Sequence, residues 1–284
     1  MRGGASDYLE LVKPRLLSLA LATVLVGFFL GVRGPVDHGA LLGVLFGAAL
    51  VGAGANALNQ YLERDVDARM KRTENRPLPS GRLSPMSVFV FGLATSAAGV
   101  IYLFAAVNAM AAAMGVLTLV SYVLIYTPMK RKTYFNTFVG AIPGALPFVL
   151  GWTASGRALG VEVASLFLLL YVWQIPHFYA IAWVYRDDYK NGGLRMITGE
   201  DPDGGRIAWR ILCFSVLMIP IGTLPTFTGL AREAYFVSAA FFGVVLTAFA
   251  ARLVFRRMEG AKSFVSVSIF YLMAIIVAMM ADKS

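Results

Sequence analysis

Residues 39–62 read GALLGVLFGAALVGAGANALNQYL, and apart from Tyr61 no side chain in the run can ionise. A helix rises about 1.5 Å per residue, so the run is long enough to cross the roughly 30 Å hydrocarbon core of a bilayer. Eight more apolar runs accompany it, at 16–32, 84–107, 109–126, 137–153, 163–184, 211–230, 235–251 and 264–281. The chain has 284 residues, 58% hydrophobic and 14% charged, with a mean hydropathy of +0.70, too little polar surface to cover a water-soluble globule of this size. The predicted class is an all-α integral membrane protein: one polytopic membrane domain over 1–284 with nine transmembrane helices and membrane lipid as its main solvent. The first run follows Arg2, Lys13 and Arg15 but lacks a clear small-residue cleavage site, so it reads as a retained anchor. The single Cys213 rules out an intramolecular disulfide and a thiolate metal cluster.

The formal net charge of +9 does not point to nucleic acid, because in a membrane protein the placement of Lys and Arg carries the information. With the N-terminus inside, 21 of the 25 Lys and Arg residues fall on the inner side, and only Arg33, Arg157, Arg232 and Lys283 fall outside. That bias orients the chain with a cytoplasmic N-terminus and, after nine crossings, an external C-terminus.

Transporters and pumps usually hold ionisable groups within their spans. Here His177 is the only titratable side chain well inside one, tyrosines aside, which counts against a transporter. The polar chemistry gathers instead at the inner ends of even-numbered spans. The first cluster, in GANALNQYLERDVDAR (54–69), sets Asn56, Asn59, Glu63 and Asp67 at steps of three and four on one helical stripe, with Asp65 about 120° away from Asn59. Burying such a stripe at the lipid boundary without partners is costly, so it reads as functional. The second cluster is Asp187 and Asp188, eleven residues after His177; on one continuous helix His177 and Asp188 share a face about 16 Å apart.

Cations surround both clusters: Arg69, Lys71, Arg72 and Arg76 after the first, Lys130, Arg131 and Lys132 after span four, and Arg186 and Lys190 at the second. Hard oxygen donors suit Mg²⁺, which bridges to phosphates, while Arg and Lys take the remaining phosphate oxygens. The mixture predicts a magnesium diphosphate site with Asn59, Glu63, Asp67, Asp187 and Asp188 as metal ligands and catalytic groups. Arg72, Arg76, Lys130, Arg131, Asn136 and Arg186 are the candidate diphosphate contacts. Lys130 and Arg131 also fit a plain role as lipid anchors at a helix end.

The stretch from Asn59 to Asp67 resembles the first acidic motif, Asn-Asp-x-x-Asp-x-x-x-Asp, of the UbiA-type intramembrane prenyltransferases. LVKPR (11–15), YTPMKRKTYFN (126–136), GALP (144–147) followed by Gly151 and Trp152, and WQIPHFY (173–179) resemble the heme O synthase branch of that family. The landmarks cover about residues 8–200. The resemblance implies nine helices around a central cavity, open to lipid and capped by cytoplasmic loops, at a prokaryotic-type plasma membrane. It also implies Mg²⁺ as cofactor, farnesyl diphosphate and heme B as substrates, and hand-over of the product to a terminal oxidase or heme A synthase. Two further readings remain: a related prenyltransferase with an aromatic, quinone-precursor or chlorophyll-type acceptor, and a transporter or lipid-binding protein. The chain departs from the family pattern at four places: Gln60 and Glu63 stand where Asp is frequent, Arg186 where Lys is usual, and Arg195 where Pro is expected.

His177 carries the heme part of the reading. With Trp173, Pro176, Phe178 and Tyr179 around it, it suits contact with a flat porphyrin, although a lone intrahelical histidine is often only a hydrogen-bonded core residue. The other histidine, His38, belongs to the outer side, so a bis-histidine heme within one chain is excluded and heme reads as substrate.

Overall fold

A computed structural model describes residues 3–284; Arg2, counted above among the inner cations, lies outside them. A short helix, α1 (Ala5–Leu11), precedes the first crossing, α2 (Pro14–Gly31). α3 (His38–Asp67) and α4 (Pro85–Ala106) follow. The fourth crossing is composite: α5 (Ala109–Leu119), a π-helical stretch (Val120–Tyr126) and α6 (Thr127–Met129). Then come α7 (Asn136–Ala154), α8 (Val161–Val184), the short α9 (Arg186–Asn191), a 3₁₀ turn (Ile197–Glu200), α10 (Gly205–Phe227), α11 (Glu233–Phe255) and α12 (Ala261–Ala281). Among the described residues nine helices are long and apolar enough to cross a membrane, and the single β feature is an isolated bridge between Ala231 and Lys283.

Local signals start the helices where they should. Asp37 caps α3 by accepting from the Ala40 amide at 3.0 Å, and Asn108 caps α5 through the Ala111 amide at 2.8 Å. Ser84 accepts from the Ser87 amide at 3.1 Å while Pro85 supplies the first turn of α4, where its missing N–H goes unnoticed.

The chain forms two compact units. The first holds residues up to Ala158 together with Asp187–Arg195, and the second holds Leu159–Arg186 and Met196–Ser284. In the first, α2 packs on α7 and α3 on α4. A Cβ on Gly27 would run into the Phe148 carbonyl, and one on Gly151 into that of Val24, so the α2–α7 backbones approach at a distance only glycine permits. Val24, Phe28, Val51, Leu103 and Leu150 fill the core around that contact. In the second unit, α10 packs on α8 and α11, and α12 on α8 and α11.

All nine expected spans have a helix. Two helix ends matter for the site. α3 continues past its apolar run at 62 to Asp67, so Glu63 and Asp67 are helical, as the expected stripe requires. α8 ends at Val184, where Tyr185 (φ −109°, ψ 24°) leaves the helical region before α9 begins. The single continuous helix assumed in placing His177 and Asp188 on one face is therefore interrupted at Tyr185.

Candidate active site

The inner end of α3 buries an unusual row of polar groups: Asn56, Asn59, Gln60, Glu63 and Asp67 are each under 10% exposed. Asp65, one step off the stripe, points away with its side chain 70% exposed, as the helical spacing requires. Three oxygen-bearing side chains of the stripe each hold a cation from a different part of the first unit. The Lys13 ammonium donates to Asn59 Oδ1 at 2.9 Å, Lys130 pairs with Glu63 Oε1 at 2.8 Å, and Arg76 donates to Asp67 Oδ2 at 2.7 Å.

Each cation is brought there by a local device. Lys13 sits in the turn between α1 and α2 with φ +53°, a left-handed conformation that strains a residue with a Cβ by about 1 kcal/mol. Two amides of the stripe hold that turn: Asn56 Nδ2 donates to the Val12 carbonyl at 2.9 Å and Gln60 Nε2 to that of Leu11 at 2.6 Å. Gln60, a departure from the acidic family pattern, is thus a staple. Lys130 follows the π-helical stretch, where the Thr127 amide and its hydroxyl both reach back to the Tyr122 carbonyl. Thr127 Oγ1 in turn accepts from Asn59 Nδ2 at 3.0 Å, which fixes the Asn59 amide with its oxygen toward Lys13. The Lys130 ammonium also lies 4.6 Å from the Tyr126 ring centre, and Gly140 leaves room for that ring.

The electrostatics are lopsided. Burial lowers the Lys13 ammonium to about 7, and neighbouring Arg76 and Lys130 add to the effect against the attraction of Glu63 and Asp67. Burial also works against Lys130, but Tyr126, Glu63 and Tyr122 outweigh it and hold that ammonium above its ordinary value. Three cations thus face two carboxylates, an arrangement with capacity for an anion. Asp67 Oδ1 is buried without any hydrogen-bond partner, an open lone pair of the kind a hard cation takes. The donor set of Asn59, Glu63 and Asp67 fits Mg²⁺ in chemistry. Among the described residues no three His, Cys, Asp or Glu groups converge to hold an ion by themselves, so phosphate oxygens and waters would complete the shell.

The segment Asp187–Arg195 belongs to the same unit and lies on this end of α3: a Cβ on Gly192 would sit 3.0 Å from Met70 and 3.1 Å from Val66. Burial raises the Tyr189 phenol, against the pull of Arg72, and the charges of Lys130 and Glu63 are within its electrostatic reach. The Arg195 amide donates to the Lys130 carbonyl at 2.9 Å. The expected Pro would forfeit that bond, which explains the departure. Asp187 is exposed and Asp188 half-buried, and neither side chain has a polar partner among the described residues.

The other expected contacts divide. Arg72 is exposed beside Tyr189. Arg131 donates to the Leu62 carbonyl at 3.2 Å. Arg186 lies over the Trp183 ring at 4.7 Å and donates to its carbonyl. Asn136 Nδ2 donates to the Thr133 and Arg195 carbonyls at 2.7 and 2.8 Å, which ties Arg195 to the start of α7. Lys13, Thr127 and Tyr189 were not singled out by pattern, although the LVKPR and YTPMK strings contain the first two.

In the second unit His177 is 7% exposed. Its Nδ1 lies 2.7 Å from Ser268 Oγ, and its ring stacks on Trp173 at 4.8 Å and 19°. Trp173 Nε1 donates to the Ser268 carbonyl at 2.8 Å, so one residue of α12 engages both rings.

Known proteins with this fold match the chain end to end. It resembles a protoheme IX farnesyltransferase of Solibacter usitatus, 39% identical over 98% of each chain, and one of Myxococcus xanthus, 39% identical over 98% of this chain and 95% of the other. Among solved structures, a digeranylgeranylglyceryl phosphate synthase superposes with a TM-score of 0.82 at 19% identity, covering 98% of this chain and 97% of its own. A UbiA homolog from Archaeoglobus fulgidus bound to DMAPP and Mg²⁺ superposes with a TM-score of 0.68 at 18% identity, covering 96% and 99%. The sequence profile of the UbiA prenyltransferase family matches residues 20–276, and with nine apolar helices, the buried polar stripe and relatives of this similarity the chain belongs to that family.

Proposed function

We propose that the chain is a Mg²⁺-dependent prenyltransferase that moves a farnesyl group from farnesyl diphosphate to a vinyl group of heme B, giving heme O. The active site then opens on the cytoplasmic side of a prokaryotic-type plasma membrane. The observation that carries the reading is the stripe on α3, where Asn59, Glu63 and Asp67 are each matched by a cation that a diphosphate can recruit. The farnesyltransferase relatives support heme as acceptor, and the DMAPP- and Mg²⁺-bound neighbour supports a metal-assisted diphosphate donor.

Glu63, Asp67 and Asn59 would hold the metal by their oxygens, with Asp187 and Asp188 of the adjacent segment as the second acidic group. Bound Mg²⁺ supplies positive charge against the departing diphosphate. Lys13, Lys130 and Arg76, exchanged from their carboxylate and amide partners, would take phosphate oxygens, with Arg72 at the rim. As the C1–O bond breaks, its electron pair stays on the diphosphate, and that developing charge is what these cations stabilise. The vinyl π pair then bonds to C1, and water adds to the resulting carbocation with loss of a proton, giving a hydroxyethylfarnesyl substituent. His177 would contact the porphyrin.

The test is direct. Purified protein in lipid nanodiscs, given heme B, farnesyl diphosphate and Mg²⁺, should yield heme with the mass of an added farnesyl and hydroxyl group, and no product with EDTA. Unchanged heme beside a farnesylated quinone precursor would replace this reading with the related acceptor class.

A further inference from the structure

Ser268 is fully buried on α12, and its hydroxyl makes two contacts: 2.7 Å to the Val265 carbonyl and 2.7 Å to His177 Nδ1. The hydroxyl has one proton. A carbonyl can only accept, so the Val265 contact is a hydrogen bond only if Ser268 donates to it. The Ser268 oxygen is then left to accept, and the group opposite must be an Nδ1–H. If the proton turned to Nδ1 instead, the Val265 contact would become two oxygens at 2.7 Å with no hydrogen between them. Both bonds are satisfied in only one tautomer. In that tautomer Nε2 carries the lone pair, and Nε2 has no hydrogen-bond partner among the described residues. Trp173 adds rigidity, since its ring stacks on the imidazole while its N–H holds the Ser268 backbone.

We propose that Ser268 is a positioning residue that fixes His177 as the Nδ1–H tautomer, so that a bare Nε2 is presented to the iron of the heme substrate. A histidine that binds a metal through one nitrogen commonly donates its other N–H to a neighbour, which orients the ring and raises its basicity. Here that neighbour is a hydroxyl whose own proton is fixed by Val265. The inference rests on heme being the acceptor, as proposed above. Any neutral imidazole has one bare nitrogen, and the contact with Ser268 decides that here it is Nε2.

The chain has two histidines, so ¹⁵N-histidine labelling gives two imidazoles, and His38→Gln at the exposed start of α3 leaves one. Solid-state NMR in bilayers should show Nδ1 protonated and Nε2 bare in His177. Zn protoporphyrin IX, a diamagnetic probe that takes one axial ligand, should then move the Nε2 resonance. Ser268→Ala should mix the tautomers and weaken Zn protoporphyrin binding about 10-fold or more, while Ser268→Thr keeps both properties near wild type. A protonated Nε2 in the wild type overturns the inference even if Ser268→Ala fails to fold. An Nε2 resonance unmoved by porphyrin, or wild-type porphyrin affinity in Ser268→Ala, overturns it too. A wild type that does not convert heme B at all defeats the parent reading; conversion of heme B with a protonated Nε2 defeats only the role of Ser268.

Discussion

The two acidic motifs lie in one compact unit yet are built in opposite ways. Asp67 is 1% exposed and locked to Arg76, and Glu63 is buried against Lys130. Asp187 and Asp188 sit on the six-residue α9, exposed or half-exposed, without polar side-chain partners among the described residues. A buried carboxylate must be paired even before any ligand arrives, because an isolated buried charge is costly. A solvated one needs no partner until the ligand supplies it. On the proposed function, the first motif would serve the fold as well as the chemistry, and the second the chemistry alone.

Four experiments sharpen or break that contrast, taken from the largest effect to the smallest. Asp67→Asn should lower turnover by about 100-fold or more and also destabilise the ligand-free protein by about 3 kcal/mol, since Arg76 loses its buried partner. Thermal unfolding in detergent together with product analysis reads both. Asp188→Asn should lower turnover by about 100-fold while leaving the melting temperature unchanged; a drop in stability matching that of Asp67→Asn would erase the distinction. Mn²⁺ binding followed by EPR should tighten about 10-fold when a non-hydrolysable farnesyl thiodiphosphate is present, because released Lys13, Lys130 and Arg76 then find phosphate oxygens. Equal Mn²⁺ affinity with and without the analogue would show that the ion pairs do not oppose metal. Asp65→Asn should change stability by less than about 0.5 kcal/mol and leave activity near wild type, as its side chain faces away from the stripe.

Much of this is legible in the sequence because hydropathy in a membrane protein has few competitors. The run at 39–62 and its eight companions each become a helix, and steps of three and four set Asn59, Glu63 and Asp67 on one face and Asp65 off it. Boundaries are less legible from hydropathy alone, since the apolar run ends at Leu62 while α3 continues to Asp67. Lys13 resembles an ordinary juxtamembrane anchor, and only the left-handed turn before Pro14 returns it to α3. The break at Tyr185 carries no helix-breaking residue, since neither Gly nor Pro stands between Val184 and Asn191. Ser268 lies 91 residues from His177, on the face of another helix, so nothing in the WQIPHFY string could announce it.

The π-helical stretch at Val120–Tyr126 also sets how the fourth crossing answers to a change in length rather than in chemistry. A π turn holds one more residue than an α turn, so removing one of those seven residues would let the crossing close as plain α-helix. The shorter stretch would turn nearly as far as the present one, and Thr127 and Lys130 would keep close to their direction toward Asn59 and Glu63. In a crossing that was α-helical throughout, the same deletion would rotate everything downstream by about 100°. The wide turn is slack in the chain: the crossing can lose a residue there without turning its polar end away from α3.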